Sequence, residues 1–200
     1  MAGIFSITSH TNPEEFNKLV KIAAEALLSG SIIVMPSDTI YGLFSCFQSA
    51  QIDRLHKIKN RPKEIPFLFV FPPDYPLDDF ADLEKLNKEG RERLEQLWPG
   101  ANTVILNKNR NITYPLGETI AIRKPAKVSN KFFYETLRTC NQPLLAPSLN
   151  RHGDEPLVEL NEIIINFGNE VDYIFFDENF APGKPSNIWD LTKTRVPRLR

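Results

Sequence analysis

Residues 12–36 read NPEEFNKLVKIAAEALLSGSIIVMP, and this stretch decides the fold class because two hydrophobic periods stand back to back in it. Asn12 is a capping residue type, Pro13 suits a first helical turn, and Glu15 stands three residues after the cap. Phe16, Leu19, Val20, Ala23, Ala24 and Leu27 then fall at i, i+3, i+4, i+7, i+8 and i+11, one apolar stripe down a helix. Gly30 supplies the stop, since glycine adopts the left-handed conformation that ends helices. Residues 32–35 are continuously apolar, the pattern of a strand buried on both faces, and Pro36 closes it.

The alternation continues outward from that unit. A helix is predicted over residues 49–60 with Ile52, Leu55 and Ile58 inward, and a short apolar strand over 67–71, closed by Pro72 and Pro73. Residues 74–98 read as a broken helical stretch ending at Trp98-Pro99-Gly100. Strands are predicted at 103–106, 119–123, 144–146 and 173–176, helices at 130–137 and 160–167, and two short strands at the C-terminal end. Helices and buried strands interleave with no repeat and no dividing linker. The expectation is one α/β domain over residues 1–200, with a twisted, mixed open sheet and flanking helices.

Composition narrows the function. The 200 residues carry 24 Lys plus Arg against 25 Asp plus Glu, a net charge of −1, which argues against a surface that coats nucleic acid or an anionic membrane. With 42% hydrophobic and 24% charged residues there is ample material for a core, and 16 prolines against 9 glycines imply stiff, extended connections. Cys46 and Cys140 are too few for a disulfide framework or a cysteine zinc site. Residues 1–12 lack a signal-peptide pattern, and no apolar run approaches the roughly 18 residues of a membrane span. A soluble, cytoplasmic protein without a membrane partner is expected. His10, His56 and His152 are too scattered to assert a metal site, so no protein metal ligand is assigned; His56 reads as plain helix surface. P-loop, dinucleotide-binding, zincin and nucleophile-elbow signatures are absent.

Basic charge is nevertheless concentrated. Arg54, Lys57, Lys59, Arg61 and Lys63 crowd the end of the second helix, and Arg195, Arg198 and Arg200 the C-terminal end. Such runs are either solvated faces or anion sites, since Lys and Arg converge well on phosphate oxygens. Lys59 and Arg61 precede Pro62, so an extended pair two apart is expected to point one way. Two polar turns, Ser37-Asp38-Thr39 and Ser148-Leu149-Asn150, follow predicted strands. They are either ordinary turn chemistry or part of an anion pocket at the strand ends, where α/β proteins bind ligands.

Taken together, these segments resemble the YrdC family, the threonylcarbamoyl-AMP synthases. Pro36-Ser37-Asp38-Thr39-Ile40-Tyr41-Gly42-Leu43 resembles that family's P-T-[DE]-T-x-Y-G-L, and Lys59-Asn60-Arg61-Pro62 its K-x-R-P. Trp98-Pro99-Gly100 with Thr103 is similar to W-P-G-x-x-T, and residues 119–125 to T-[VI]-[AG]-[VI]-R-x-P. Ser148-Leu149-Asn150 with Gly153 resembles S-A-N-x-S-G, and Pro185-Ser186-Asn187-Ile188 with Asp190 resembles P-S-T-[VI]-x-D; Arg198 falls at the family's final arginine. Six matches run in order from about residue 30 onward.

The resemblance implies that L-threonine, bicarbonate and ATP, with Mg²⁺, combine to threonylcarbamoyl-AMP and pyrophosphate. A separate transferase complex then places the threonylcarbamoyl group on tRNA. It also implies the single-domain form of the family, with a concave positive surface. By the same resemblance Lys59 and Arg61 are the catalytic residues and bind nucleotide together with Thr119, Asn150 and Arg198. Arg123 clamps the threonine carboxylate, and Thr39, Ser148 and Ser186 line the threonine pocket. The chain departs from the motifs at Ser37 for threonine, Phe44 and Asn60 for glycine, Leu149 for alanine, His152 for serine and Asn187 for threonine. Leu149, between two inward side chains, is expected to point away from the pocket. The competing reading is a non-catalytic RNA-binding module on tRNA or rRNA, which a steep salt dependence would reveal.

Overall fold

The helix-and-strand unit of residues 12–36 forms as its periodicity dictates, and its strand is third in the nine-stranded sheet. The computed structural model describes residues 1–114, 117–127, 130–193 and 197–199. Helix α1 spans Pro13–Leu28; the Asn12 side chain accepts from the Glu15 N–H at 2.9 Å, and Gly30 holds φ at 87° just past the helix end. Strand β2, Ile33–Pro36, is buried throughout. Ile33 and Met35 pack with α1, while Ile32 and Val34 belong to the core on the opposite face. Two apolar layers thus enclose one sheet, which is why the run is continuously apolar.

In chain order the other elements are β1 (Gly3–Ile7), β3 (Tyr41–Cys46), α2 (Ser49–Lys59), β4 (Phe69–Val70), a 3-10 turn (Leu83–Lys85), α3 (Lys88–Leu97), β5 (Asn102–Asn107), β6 (Thr119–Arg123), α4 (Lys131–Cys140), β7 (Leu144–Leu145), α5 (Leu160–Phe167), β8 (Tyr173–Asp177) and β9 (Asn187–Asp190). The strands form one sheet in the order β1-β8-β2-β3-β7-β4-β6-β5-β9. The pairs β1–β8, β2–β8, β4–β6 and β5–β9 are parallel and the rest antiparallel, so the sheet is mixed, as expected. No helix among the described residues is long and apolar enough to cross a membrane.

The structure corrects several expectations. Strands β1 and β3 were not foreseen: β1 is a half-buried edge, and β3 hides its burial behind Gly42 and Ser45. At the C-terminal end the described residues hold one strand, β9, joined by a bridge between Trp189 and Arg198, where two short strands are expected. Of residues 67–71 only Phe69 and Val70 are in the ladder. Lys59 and Arg61 are not an extended pair, because Lys59 ends α2 and Asn60 adopts the left-handed conformation at φ 47°. That conformation explains why asparagine serves where the motif has glycine. The basic run of α2 is not one anion patch either. Arg54 is held by Asp172 and Lys63 by Asp53, each at 2.6 Å, while Arg195 and Arg200 lie outside the described residues.

His56 is not surface. It is 4% exposed, its ring lies 4.4 Å from the Phe67 ring, and its Nδ1 bonds the Arg61 carbonyl at 3.1 Å. The chain returning through residues 60–67 covers a helix face that the wheel leaves to solvent. Burial, aided by Arg61 and Lys63, holds the imidazole below its usual range. Unfolded histidine takes up a proton near pH 6.5 and the folded one does not, so stability present above that pH is lost as pH falls. The expected result is a fall in the urea midpoint between pH 7.5 and 5 that is shallower in His56→Phe.

Candidate functional site

At one end of the sheet a cavity of about 430 Å³ opens. The C-terminal ends of β2, β6 and β7 meet there with the N-terminal ends of β3, β5 and β9, the edge where α/β sheets place ligands. Side chains on these ends converge because the flanking turns are pinned by their own hydroxyls.

One wall is built on the turn after β2. Ser37 Oγ donates to the Ile40 carbonyl at 2.6 Å and accepts from the N–H groups of Thr39 and Ile40, which fixes the turn. Thr39 then faces Arg123 at the end of β6: the guanidinium donates to Thr39 Oγ1 at 3.1 Å and lies 3.2 Å from Asp38 Oδ1. Arg123 is 4% exposed. Burial pushes the Asp38 carboxyl up, and the Arg123 charge draws it back.

The second wall joins the turn after β7 to the end of α2. Ser148 Oγ donates to Asn150 Oδ1 at 2.6 Å, so this pair shares a side, as their spacing predicts. Lys59 Nζ donates to that same oxygen at 2.7 Å and to the Ser148 carbonyl at 2.6 Å. Only 2% of Lys59 is exposed. Burial, reinforced by Arg61 and Arg151, lowers its pKa to about 7. Arg61 lies across the opening, bonded to the Ile65 and Pro66 carbonyls at 3.0 and 2.7 Å with its guanidinium over Phe67. A third contact closes the cavity between β5 and β9, where the Thr103 and Ser186 hydroxyls are 2.8 Å apart.

Thr39, Arg61, Arg123, Ser148, Asn150 and Ser186 therefore line one cavity, and Lys59 reaches it through Ser148 and Asn150. Thr119 and Arg198 do not. Thr119 shares a face of β6 with Ala121 and Arg123 but stands exposed at the far end of the strand. Strand alternation turns Ser186 and Ile188 into the cavity and Asn187 away from it, and Arg198 goes with Asn187, donating to its side-chain oxygen. Leu149 points away into the core, as expected, Phe44 lines the cavity, and His152 is exposed.

Two contributors were not picked out beforehand. Thr103 was quoted as part of a motif, and its alternation with Ile105 along β5 could have placed it. Asp38 lies in the polar turn beside Thr39 with no role assigned to it, and only its pairing with a distant strand reveals one. Chemically, a fixed cation stands at one end, a second cationic group at the other, with hydroxyls between. This arrangement accommodates a ligand that carries a negative group at each end. Among the described residues no group of three or more His, Cys, Asp or Glu is placed to hold a metal ion.

A family model, Sua5_yciO_yrdC, described as "Telomere recombination", matches residues 25–200. The threonylcarbamoyl-AMP synthase of Pyrococcus abyssi is 28% identical over 190 residues, which are 90% of this chain and 53% of that protein. The chain thus spans about half the length of that curated relative. The crystal structure of P. abyssi Sua5 complexed with L-threonine superposes with a TM-score of 0.82 at 22% identity, over 98% of this chain and 56% of that one. Escherichia coli YciO matches with a TM-score of 0.80 at 23% identity, over 100% of this chain and 95% of its own. These structural likenesses establish a shared fold.

Proposed function

Because this chain belongs to the Sua5/YciO/YrdC family, we propose that it is a nucleotidyltransferase that joins L-threonine, bicarbonate and ATP into threonylcarbamoyl-AMP and pyrophosphate. The observation that carries the reading is the pairing, in one cavity, of Arg123 with Thr39 at one end and of Lys59 with Ser148 and Asn150 at the other. Residues 1–200 act as one domain in this reading, in the cytoplasm. The product passes to a separate transferase complex that modifies tRNA.

The chemistry asks little covalent work of the protein. The threonine amine adds to carbon dioxide released from bicarbonate, losing a proton as its N–C bond forms, and gives a carbamate. A carbamate oxygen attacks the α-phosphorus of ATP while the bond from that phosphorus to its bridging oxygen breaks, and pyrophosphate departs. Catalysis rests on holding the two anionic reactants in line and neutralising phosphate charge. Arg123 takes the threonine carboxylate through its planar fork, with Thr39, Ser148 and Ser186 around the amino acid. Lys59 and Arg61 meet the phosphates, and Asn150 holds Lys59 in place. An anion brought to Nζ favours the protonated amine, so Lys59 gains a proton as nucleotide binds above pH 7. Mg²⁺ enters as part of the Mg-ATP substrate, its charge shared with the phosphates. Thr119 and Arg198 reach the nucleotide only after moving, Arg198 by leaving Asn187.

The test is a reaction of the purified chain with labelled L-threonine, bicarbonate and Mg-ATP, chromatographed promptly. A labelled adenylate that requires all three substrates is expected. Its absence, with neither threonine nor ATP bound, overturns the reading.

A further inference from the structure

Asp38 is the buried charge that the proposed reaction leaves without a role. Its side chain is 3% exposed and is not part of the cavity lining, with Oδ1 3.2 Å from the guanidinium of Arg123, which is. Neither carboxylate oxygen makes a well-formed hydrogen bond, and among the contacts that offset its burial the ion pair with Arg123 is the largest, with its own backbone and the Ser37 side chain contributing less. The neighbouring Ser37 hydroxyl is engaged chiefly within its own turn, with the Ile40 carbonyl, two backbone N–H groups and the Thr39 hydroxyl. A buried carboxylate acts first through the cation paired with it.

We propose that Asp38 is a positioning residue and an internal competitor. It holds Arg123 in the empty cavity and lowers the affinity of the site for an incoming carboxylate. This inference rests on the reading of Arg123 as the carboxylate clamp. Two effects oppose one another when a ligand carboxylate arrives. Asp38 keeps the guanidinium aimed, which favours binding, and its negative charge repels the second anion across the same guanidinium. Thr39 also aims Arg123, through the bond to its Oγ1, so orientation has a second support and repulsion has none to cancel it. Repulsion therefore decides the sign. Two like charges about 6 Å apart in a partly dry wall change affinity roughly tenfold or more. A tight carboxylate trap would retain the amino acid, whereas a pre-neutralised arginine releases it.

The test titrates L-threonine and L-threoninol, which lacks the carboxylate, into the wild-type chain and Asp38→Asn by calorimetry. Asparagine keeps an acceptor for Arg123 and removes the charge. The expected result is about tenfold tighter L-threonine binding, unchanged L-threoninol binding and a lower melting temperature, because Arg123 in the empty site then loses the Asp38 charge. A residue with a merely structural role would lose affinity and stability together, and weaker L-threonine binding in Asp38→Asn overturns the proposal. Equal tightening of both ligands also overturns it. Where Asp38→Asn fails to fold, Asp38→Ser removes the same charge and reads the same sign. Asp38→Glu, which keeps the charge, is expected to bind L-threonine within twofold of wild type. If the wild type binds acetate and other amino acids but not L-threonine, the threonine reading fails while the sign of the acetate shift still decides the role of Asp38. If no carboxylate binds either protein, both fail.

Discussion

Lys59→Met lowers adenylate formation by about 10²–10³-fold while the chain stays folded, the scale found when one preorganised donor is removed from a site of developing charge. Methionine nearly preserves the volume of a side chain that is 2% exposed, so no large void opens. The same variant tests the electrostatics of the wall. Because burial lowers the Lys59 pKa to about 7 from 10.5, the folded chain binds fewer protons than the unfolded one between those values. Stability then rises with pH across that window, with a slope of up to about 1.4 kcal/mol per unit from this group, and the cost of the buried charge is complete below about pH 7. Urea titrations at pH 7, 8 and 9 are expected to show that slope in the wild type and its loss in Lys59→Met. An active variant would remove Lys59 from the phosphates, and a slope that persists would show that the amine is not buried as charge.

The second large effect falls on stability. Phe69→Ala costs about 3–5 kcal/mol of a total that for domains is about 5–15, enough to leave the chain unfolded in mild denaturant. Phe69 is fully buried in β4, and its ring lies 5.2 Å from Phe47 and 5.8 Å from Phe80. The strand is only two residues long, yet it joins β7 to β6 and pairs Val70 with Arg123. Loosening it releases Phe67 and Leu68 from the cavity wall as well. The expected reading is a large drop in urea midpoint with an unchanged m-value, and activity recovered on cooling. A midpoint within 1 kcal/mol of wild type would mean that the neighbouring rings close the gap.

Much of the site was legible because it is made of short-range chemistry. Ser37, Thr39, Ser148 and Asn150 stand where buried strands give way to polar turns, and the residues of such turns are chosen by local backbone geometry. Lys59 and Arg61 were legible as charge, but their shapes were not. The left-handed Asn60 between them sends Lys59 inward to Asn150 and lays Arg61 over Phe67.

Local pattern was enough for the α/β class, the doubly buried β2, the capped α1 and the residue types of the cavity, because helical and strand periods report how each element must meet a core. What covers each element from afar came from the folded arrangement. It buried His56 under the returning chain, enlisted Tyr41–Cys46, interrupted by Gly42 and Ser45, as a fully buried strand, and turned Arg198 away with Asn187. It also paired Asp38 with Arg123. The physical reason is that burial and ion pairing are made by partners distant in the chain, and a residue's own neighbours do not record who those partners are.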